Sequence, residues 1–600
     1  MSTAAELDAA TVEVIRNYLD SAANEMQRTL IRTAYNTIIY EILDFGLSMY
    51  DRDLDLIADS PGLTSFLGAN DHAIRRAVEY VGEENLHDGD IVLMNYPYWN
   101  ASHTLDASLF MPIYLEDELI GYTISRAHWL DLGAKDSGYV LDSTDMHQEG
   151  LVFPGTKVYK RGEVDEGILD LIRFNSRIPD KVIGDLNAQI AALRRGSTRL
   201  IELYEKHGHH TVEGAIERIH EHGRETARAA VSDLPDGTWS AVDHVDDDGI
   251  TDDPVRVEIE VTIDGERFIV DFSNSSDEVA GPINMPLGST ETLCKVCLKT
   301  VTTPDEPNNA GHYDPLEVIA PAGNIFHATY PSPTFTLWTS VVGTGTLFKA
   351  LAKGMPERIS ASTGGDLCSI MLYGEDPATG KRFVEASNEG VGWGATDERD
   401  GPNALMFPTQ TMVQNVPIEV YENKAPITFD QLSLREDSGG AGRYRGGLGI
   451  RRDYRATAPL GILSIVKKTK TPGWGIEGGE AGAKNVVVLT PQADSDWKDR
   501  IQIIADNNEL YDKEDAEQQW VGMMRGQFLP DEVVSNRSGG GGGYGDPMER
   551  EPVAVLEDVI DGYVTRAVAR DEYGVIITED LEIDHAATDA SRARQANGSR

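Results

Sequence analysis

The fold is deduced from residues 88–155, which read DGDIVLMNYPYWNASHTLDASLFMPIYLEDELIGYTISRAHWLDLGAKDSGYVLDSTDMHQEGLVFPG. Within this stretch the pattern His-x-x-Asp occurs twice, as His103/Asp106 and as His128/Asp131. The two copies are 25 residues apart. A repeated pair of an imidazole and a carboxylate in one short stretch is the first indication of a functional site.

Both copies lie beside apolar runs that are typical of β-strands. Ile91–Met94 precedes the first copy and Tyr122–Ser125 precedes the second, and glycines and polar residues follow each of them. Short apolar runs bounded by such residues favour strands that end in loops. We therefore expect two strands that end side by side, with both copies presented to one pocket.

The residue types in this pocket are those that bind a divalent metal ion. Imidazole and carboxylate together suit Mn, Zn or Fe, and two histidines with one carboxylate leave coordination positions open for substrate. His103, Asp106 and His128 are the candidate metal ligands. Asp131 is either a fourth ligand or a residue that orients His128. The alternative is that all four are hydrogen-bonded loop residues without a metal.

Glu149 follows the second copy in the segment HQEG, close to a predicted strand. A carboxylate in this position can act as the general base for a hydrolytic reaction. The alternative is an ordinary surface or helix-capping glutamate.

The bulk composition excludes several classes of partner. The 600 residues carry a formal net charge of −46, with acidic side chains spread along the chain rather than collected in a tail. Such a surface repels nucleic acid and anionic membrane, so neither is expected as a partner. Because salt screens self-repulsion, this charge is typical of a protein from a halophile.

Cysteine content and the first residues indicate a cytoplasmic location. Three cysteines (Cys294, Cys297 and Cys368) are too few for a disulfide scaffold and fit a reducing compartment. The N-terminal segment lacks the basic and apolar regions of a signal peptide, and no run reaches the length of a membrane span.

The order of predicted elements indicates an α+β, multi-domain fold with mixed or antiparallel sheets and packed helices. Residues 255–272 alternate around Ile263-Asp-Gly, which predicts an antiparallel hairpin, and a strand is predicted around Ile418–Tyr421. The predicted divisions of the chain are residues 1–235 (an α/β domain with the metal-site loops), 236–505 (a β-rich and mixed domain), 506–548 (an acidic insert and glycine-rich loop), 549–580 (a segment that packs back on the body) and 581–600 (a disordered tail).

Two glycine clusters, at residues 438–450 and 538–550, raise the question of nucleotide binding. Neither is a Walker loop, because no Gly-Lys-Ser/Thr follows, and neither has the G-x-G-x-x-G spacing between a strand and a helix. Tight turns and close backbone packing are the expected roles. The pair Cys294 and Cys297 lacks the second pair or the histidines that a zinc site needs, so two buried thiols are expected.

The chain resembles the hydantoinase B / 5-oxoprolinase family, which includes the N-methylhydantoinase B-type subunit and is related to the α subunit of acetone carboxylase. The resemblance runs nearly from end to end. It is carried by the segments RTAYNTIIYEILDFGLSMYD (32–51), NYPYWNASHTLD (95–106), SRAHWLDLG (125–133), HQEGLVFPGTKVY (147–159), VDFSNSSDEVAGPIN (270–284), DSGGAGRYRGGLGIRRDY (437–454) and GGGGGYGDPMEREPVAVLEDVIDGYVTRAVARDEYGV (539–575).

The resemblance implies one subunit of a heteromeric, ATP-dependent enzyme. A hydantoinase A-type partner would bind ATP and phosphorylate a small-molecule substrate, and this chain would carry the metal and act as a cyclic-amide hydrolase of the 5-oxoprolinase or N-methylhydantoinase type. The family's metal ligands fall on His103, Asp106 and His128. The family usually has a second histidine where Trp129 stands, so the loop at the pocket is expected to be bulkier here.

Two alternatives stay open at this point. The first is the α subunit of an acetone-type ketone carboxylase, and the second is a non-catalytic scaffold for the A-type partner. The sequence leaves the substrate, the metal and the subunit stoichiometry unassigned.

Overall fold

The computed structural model describes residues 7–336, 338–492, 496–505 and 519–596. Its α-helices are α1 (Ala9–Thr33), α2 (Thr37–Tyr40), α3 (Thr64–Val81), α4 (Pro97–Asn100), α5 (Glu166–Asn175), α6 (Pro179–His207), α7 (His209–Ser232), α8 (Leu287–Thr302), α9 (Trp338–Leu351), α10 (Ile418–Lys424), α11 (Trp497–Arg500), α12 (Pro552–Ile560), α13 (Arg566–Asp571) and α14 (His585–Ala596).

The strands are β1 (Phe45–Tyr50), β2 (Leu56–Asp59), β3 (Ile91–Met94), β4 (Asp106–Leu115), β5 (Glu118–His128), β6 (Pro154–Lys160), β7 (Glu163–Val164), β8 (Gly237–Val245), β9 (Val255–Asp264), β10 (Arg267–Asp271), β11 (Leu316–Ile319), β12 (Ser369–Glu375), β13 (Arg382–Ser387), β14 (Ile427–Leu434), β15 (Ile450–Ala456), β16 (Leu460–Ile465), β17 (Val486–Thr490), β18 (Ile501–Ala505), β19 (Gln519–Val521), β20 (Met523–Phe528) and β21 (Val533–Arg537). This mixture of helices and largely antiparallel sheets confirms the predicted α+β class.

The chain forms two compact units, and neither is one continuous segment. The first unit comprises Met1–Thr238, Glu258–Ser340 and Pro408–Gln414, and the second comprises Trp239–Val257, Val341–Phe407 and Asn415–Arg600. The predicted boundary at residue 235 falls close to the end of the first segment. The chain then returns to the first unit, which the predicted divisions did not include.

That return has a simple cause in the packing of α8 on α3. Gly68 lets the two helices approach closely, because a Cβ there would lie 2.8 Å from Cγ2 of Thr292. An ion pair of 2.7 Å between Lys295 and Asp71 joins the same helices. Residues from the predicted central domain are therefore part of the core of the first unit.

The sheet that carries the predicted site belongs to the first unit. Its strand order is β2-β1-β5-β4-β3-β6-β7, and each neighbouring pair is antiparallel. α1 and α6 cover it with buried apolar residues at helical spacing, Ile15, Leu19 and Met26 among them. Each such side chain contributes about 1.5–3 kcal/mol when fully buried, so the sheet is held firmly under the two helices.

The second unit is built on two five-stranded sheets, with orders β13-β12-β16-β20-β18 and β14-β15-β21-β17-β19. The glycine clusters lie beside these sheets as extended segments whose backbones hydrogen-bond to one another. Gly541, for example, donates from N to the carbonyl of Gly447 (3.0 Å) and accepts from N of Gly440 (2.8 Å). A Cβ on Gly541 would lie 2.0 Å from the carbonyl oxygen of Trp393. The clusters therefore serve close backbone packing, as the sequence predicts.

Two local expectations in the second unit were wrong. The segment around Ile418–Tyr421 is the helix α10, not a strand; it begins after Pro417, whose fixed φ suits a helix start, and Tyr421 is its buried residue. The tail expected to be disordered from residue 581 contains α14, where Arg592 donates to the backbone carbonyls of Tyr573 and Arg550.

The remaining predictions for this part of the chain have mixed outcomes. The acidic residues 506–518 of the expected insert lie outside the described residues, whereas residues 519–537 form β19, β20 and β21. Residues 549–580 lie within the second unit, where Arg550 forms a 2.7 Å ion pair with Asp400. Within the described ranges, no helix is both long and apolar enough to cross a membrane.

Candidate metal centre

Three of the predicted ligands come together because of the register of one β-hairpin. Asp106 is the first residue of β4 and His128 is the last residue of β5, and the two are direct antiparallel partners. His103 lies three residues before β4, in the turn that follows α4. The sequence suggested that β3 and β5 are neighbours, but β4 lies between them. The hairpin thus brings two histidines and one aspartate to the same end of the sheet.

The three side chains form a compact, buried group. Nδ1 of His128 lies 3.1 Å from Oδ1 of Asp106, and Nε2 of His103 lies 3.5 Å from Oδ2 of Asp106. One possible ligand atom from each residue lies within 4.8 Å of the others. All three residues are at most 5% exposed. This spacing is what three ligands of one shared ion require.

Two of the three donor groups, His103 and Asp106, have the protonation states that a metal needs. Burial lowers the pKa of His103 to about 4, so its imidazole is neutral at pH 7 and keeps a lone pair. Burial alone would raise the pKa of Asp106, but the charges of His103 and His128 and a hydrogen bond from Ser102 hold it below its usual value. Burial tends to lower the pKa of His128, but the hydrogen bond and charge of Asp106 raise it overall.

One unsatisfied atom supports a metal at this position. Nδ1 of His103 is buried and has no hydrogen-bond partner among the described residues. A buried polar atom without a partner costs about 1–3 kcal/mol, and coordination to an ion is one way to recover that free energy. The donor set, its burial and this atom all fit a divalent metal ion.

Aromatic rings enclose the two histidines. Phe335 stacks on His103, with ring centroids 5.0 Å apart and an interplanar angle of 11°. Tyr139 lies parallel to His128 at 6.5 Å and meets Phe335 edge-on at 4.7 Å. These apolar faces limit access of water to the group and strengthen electrostatic interactions inside it.

Glu149 is connected to this group through the backbone of Phe335. Its Oε1 accepts hydrogen bonds from N of Thr334 (2.9 Å), from N of Phe335 (3.2 Å) and from the hydroxyl of Ser143 (2.8 Å). Burial raises its pKa to about 8. Glu149 is therefore neither a surface residue nor a helix cap, and it holds the segment that stacks on His103.

Asp131 does not join the other three candidates. Its Oδ1 accepts from the guanidinium of Arg177 at 2.5 Å, and its other oxygen accepts from N of Arg177. Asp131 lies three residues after the end of β5, and Arg177, which binds it, lies just before α6. The metal group of the described residues contains His103, Asp106 and His128 without it.

Trp129 also lies away from the group. Trp129 follows the last residue of β5, and its side chain is directed to α6 rather than to the histidine group. Its indole Nε1 donates to Oε1 of Gln189 on α6 (2.8 Å). The bulkier residue is thus part of the helix packing and does not line the histidine group.

Sequence reasoning missed Asp44 and Phe335. Asp44 precedes β1, and its carbonyl accepts from N of His128 at 3.3 Å. Burial, opposed by the charge of His128, raises the pKa of Asp44 to about 7. An acidic residue directly before a largely apolar run was a usable signal, and in the structure that run is β1, which pairs with β5. Phe335 had no comparable signal, since it lies more than 200 residues away in the sequence.

Comparison with known proteins identifies the family. The model of the family described as "Hydantoinase B/oxoprolinase" matches residues 8–547. The chain belongs to the hydantoinase B/oxoprolinase family. A relative from Pseudomonas sp. (strain NS671), provisionally named as the B component of a D-/L-hydantoinase, is 32% identical over 98% of this chain and 98% of its own length.

Two solved structures share the fold of this family member. The crystal structure of an ATP-dependent caprolactamase from Pseudomonas jessenii has a TM-score of 0.87 and 27% identity, covering 98% of this chain and 100% of that chain. A nucleotide-free acetone carboxylase has a TM-score of 0.88 at 21% identity, covering 99% of this chain and 84% of that one. At that identity the second match shows the fold alone. The names of the relatives imply that chains of this type work as subunits of larger enzymes.

Proposed function

We propose that this chain is the metal-binding subunit of an ATP-dependent hydrolase of cyclic amides, working with a hydantoinase A-type subunit that binds ATP. The buried group of His103, Asp106 and His128 is the observation that carries the proposal. The names of the hydantoinase and caprolactamase relatives support the reaction class. The sequence has no Walker loop, which is consistent with an ATP site on the partner.

In this proposal His103, Asp106 and His128 hold one divalent ion, which would be Mn, Zn or Fe. When bound, the ion would supply Lewis acidity at the carbonyl group of the amide bond that is to be cleaved. His103 stays neutral because of its burial, and Asp106 stays ionised. The rings of Phe335 and Tyr139 keep bulk water away and hold the imidazoles in place.

The reaction needs ATP because an amide carbonyl is a poor electrophile. The partner would transfer the γ-phosphoryl group of ATP to the amide oxygen, which makes the carbonyl carbon reactive. Water then adds to that carbon, the C–N bond breaks, and the ring nitrogen takes up a proton, which leaves an acyl phosphate. A second water hydrolyses the acyl phosphate to the ring-opened carboxylate and phosphate. Glu149 is the candidate base for the attacking water, since a pKa of about 8 lets its carboxyl group exchange a proton near neutral pH.

The test is to combine the chain with its A-type partner and to measure ADP release with lactams, hydantoins and 5-oxoproline. We expect ADP release that depends on the cyclic amide, matches the ring-opened product one to one, and does not change with bicarbonate. ADP release that requires a ketone and bicarbonate would instead identify a carboxylase. Equal ADP release by the partner with and without this chain would identify a scaffold.

The role of Glu149 predicts a particular pH dependence. Because the base acts as the ionised carboxylate, kcat is expected to rise with pH through about 8 and then to level off. In Glu149→Gln the amide oxygen still accepts from N of Thr334 and of Phe335, so the fold is kept while the rising limb disappears. Glu149 has no role as a base if the limb persists unchanged in the variant.

A further inference from the structure

A second group of metal-ligating side chains lies in the first unit, at the other end of β1 from His128. It consists of Asp51, Asp55 and His220, and one possible ligand atom from each lies within 4.8 Å of the others. The two aspartates belong to the turn between β1 and β2, and His220 lies on α7. Six residues of β1 separate this turn from Asp44, a distance of roughly 20 Å along the strand.

The imidazole of His220 is prepared to bind an ion. His220 is 9% exposed, and its Nε2 is 2.9 Å from the carbonyl oxygen of Leu56. Because a carbonyl only accepts, Nε2 carries the proton and Nδ1 keeps its lone pair. Among the described residues, Nδ1 makes no hydrogen bond. A backbone carbonyl that fixes the far nitrogen is the usual second contact of a metal-bound histidine.

Asp51 and Asp55 each have one carboxylate oxygen that is free to bind the same ion. Oδ1 of Asp51 accepts from N of Asp53 (3.0 Å) and from N of Asp55 (2.9 Å), which fixes the turn. Oδ1 of Asp55 accepts from Arg75 at 2.6 Å. Both Oδ2 atoms have no hydrogen-bond partner in the part of the chain that the structure describes. The group also borders a cavity of about 870 Å³, which gives an ion and its water ligands a route in.

The neighbouring group of Glu118, His209 and Glu213 is a weaker candidate for a metal. Arg52 lies 3.4 Å from both glutamates, so a guanidinium already supplies the positive charge there. Glu118 is also exposed. In the first group Arg75 pairs with Asp55, but no cation of the described residues pairs with both aspartates.

We propose that Asp51, Asp55 and His220 form a second divalent-cation site, which fastens the β1–β2 turn to α7. Two carboxylates and one imidazole suit an ion such as Mn²⁺ or Zn²⁺, with water in the remaining positions. The site rests on its own residues and is independent of the reaction proposed above. Ion binding is expected to stabilise the first unit, because an ion that binds only the folded state raises the free energy of unfolding.

The test uses the full chain, stripped with a chelator and titrated with Mn²⁺, with bound metal counted by equilibrium dialysis. We expect two Mn²⁺ per wild-type chain and one per Asp51→Asn chain. The asparagine keeps the oxygen that accepts from the turn, so this variant is expected to fold. Asp55→Asn, which keeps an oxygen for Arg75, is the second variant and gives the same loss.

Asp53→Asn is the matched control, because Asp53 borders the same cavity and lies on the same turn but is outside the group. It is expected to keep both ions. His103→Ala separates the two sites: it loses one ion, and Mn²⁺ still raises its Tm unless Asp51→Asn is added. The proposal is overturned if Asp51→Asn and Asp55→Asn bind as many ions as Asp53→Asn.

Discussion

His103→Ala is expected to lower kcat with a cyclic-amide substrate by about 10³-fold or more, because Lewis-acid stabilisation is worth several kcal/mol and each 1.36 kcal/mol is a factor of ten. The imidazole is fully surrounded by Asp106, Phe335 and Tyr139, so no other side chain can take its place without movement. Steady-state ADP release and product formation by the reconstituted complex measure this effect.

His147→Ala is the control for this substitution. His147 lies in the same stretch of sequence, but its side chain is 62% exposed and it pairs with Asp145 rather than with the metal group. It is expected to keep kcat within about twofold of the wild-type value, since exposed pairs contribute little. Normal turnover in His103→Ala, with the complex intact, would leave only a structural role for the histidine group.

Gly541→Ala is expected to destabilise the second unit by at least about 3 kcal/mol, because the new Cβ has no room. It would lie 2.0 Å from the carbonyl oxygen of Trp393 and 2.2 Å from the carbonyl carbon. The neighbours are backbone atoms of hydrogen-bonded segments, so none can rotate away as a side chain could. Chemical denaturation followed by circular dichroism, with the yield of folded protein, measures the loss.

Gly345→Ala is the matched control in the same unit. Gly345 lies within α9, and nothing lies within 4 Å of the position where its Cβ would be. Alanine there is expected to raise the free energy of unfolding by roughly 0.5–1 kcal/mol, since glycine is a poor helix former. Equal stability of the two alanine variants would show that the glycine segments do not pack as closely as described.

Much of the first unit could be predicted because its signals are local. The alternation in residues 255–272 and the Asp-Gly pair define the β9–β10 hairpin, and the register Arg267↔Asp264 confirms it. The buried residues Ile15 and Leu19 of α1 are four positions apart, a local spacing that is typical of a helix. Periodicity and turn chemistry depend on neighbours in the sequence, so they can be recognised without knowledge of the tertiary fold.

The errors arose where tertiary contacts decide the conformation. Ile418–Tyr421 contains β-branched and aromatic residues that favour a strand, but burial of Tyr421 and the preceding Pro417 select a helix. The return of α8 to the first unit depends on Gly68 and Thr292, which are far apart in the sequence. No local pattern reports such a pairing.

The same distinction holds for the metal centre. His103, Asp106 and His128 could be selected because they share one hairpin and its preceding turn. Phe335 could not, because its stacking on His103 joins segments that are more than 200 residues apart in the sequence. Asp131 matched the motif but follows the end of β5, where Arg177 binds it. The halophilic origin and the cytoplasmic location stay predictions.

The most direct test of the metal centre is the metal content of the chain co-purified with its A-type partner, measured by elemental analysis. We expect His128→Ala to carry one equivalent of divalent metal per chain fewer than the wild-type chain. Asp106 is the direct strand partner of His128, and its carboxylate belongs to the same ligand group. Asp106→Asn is therefore expected to show the same loss. Equal metal content in the wild-type chain and both variants would contradict a metal at this position and leave the histidines as hydrogen-bonded residues of a β-hairpin.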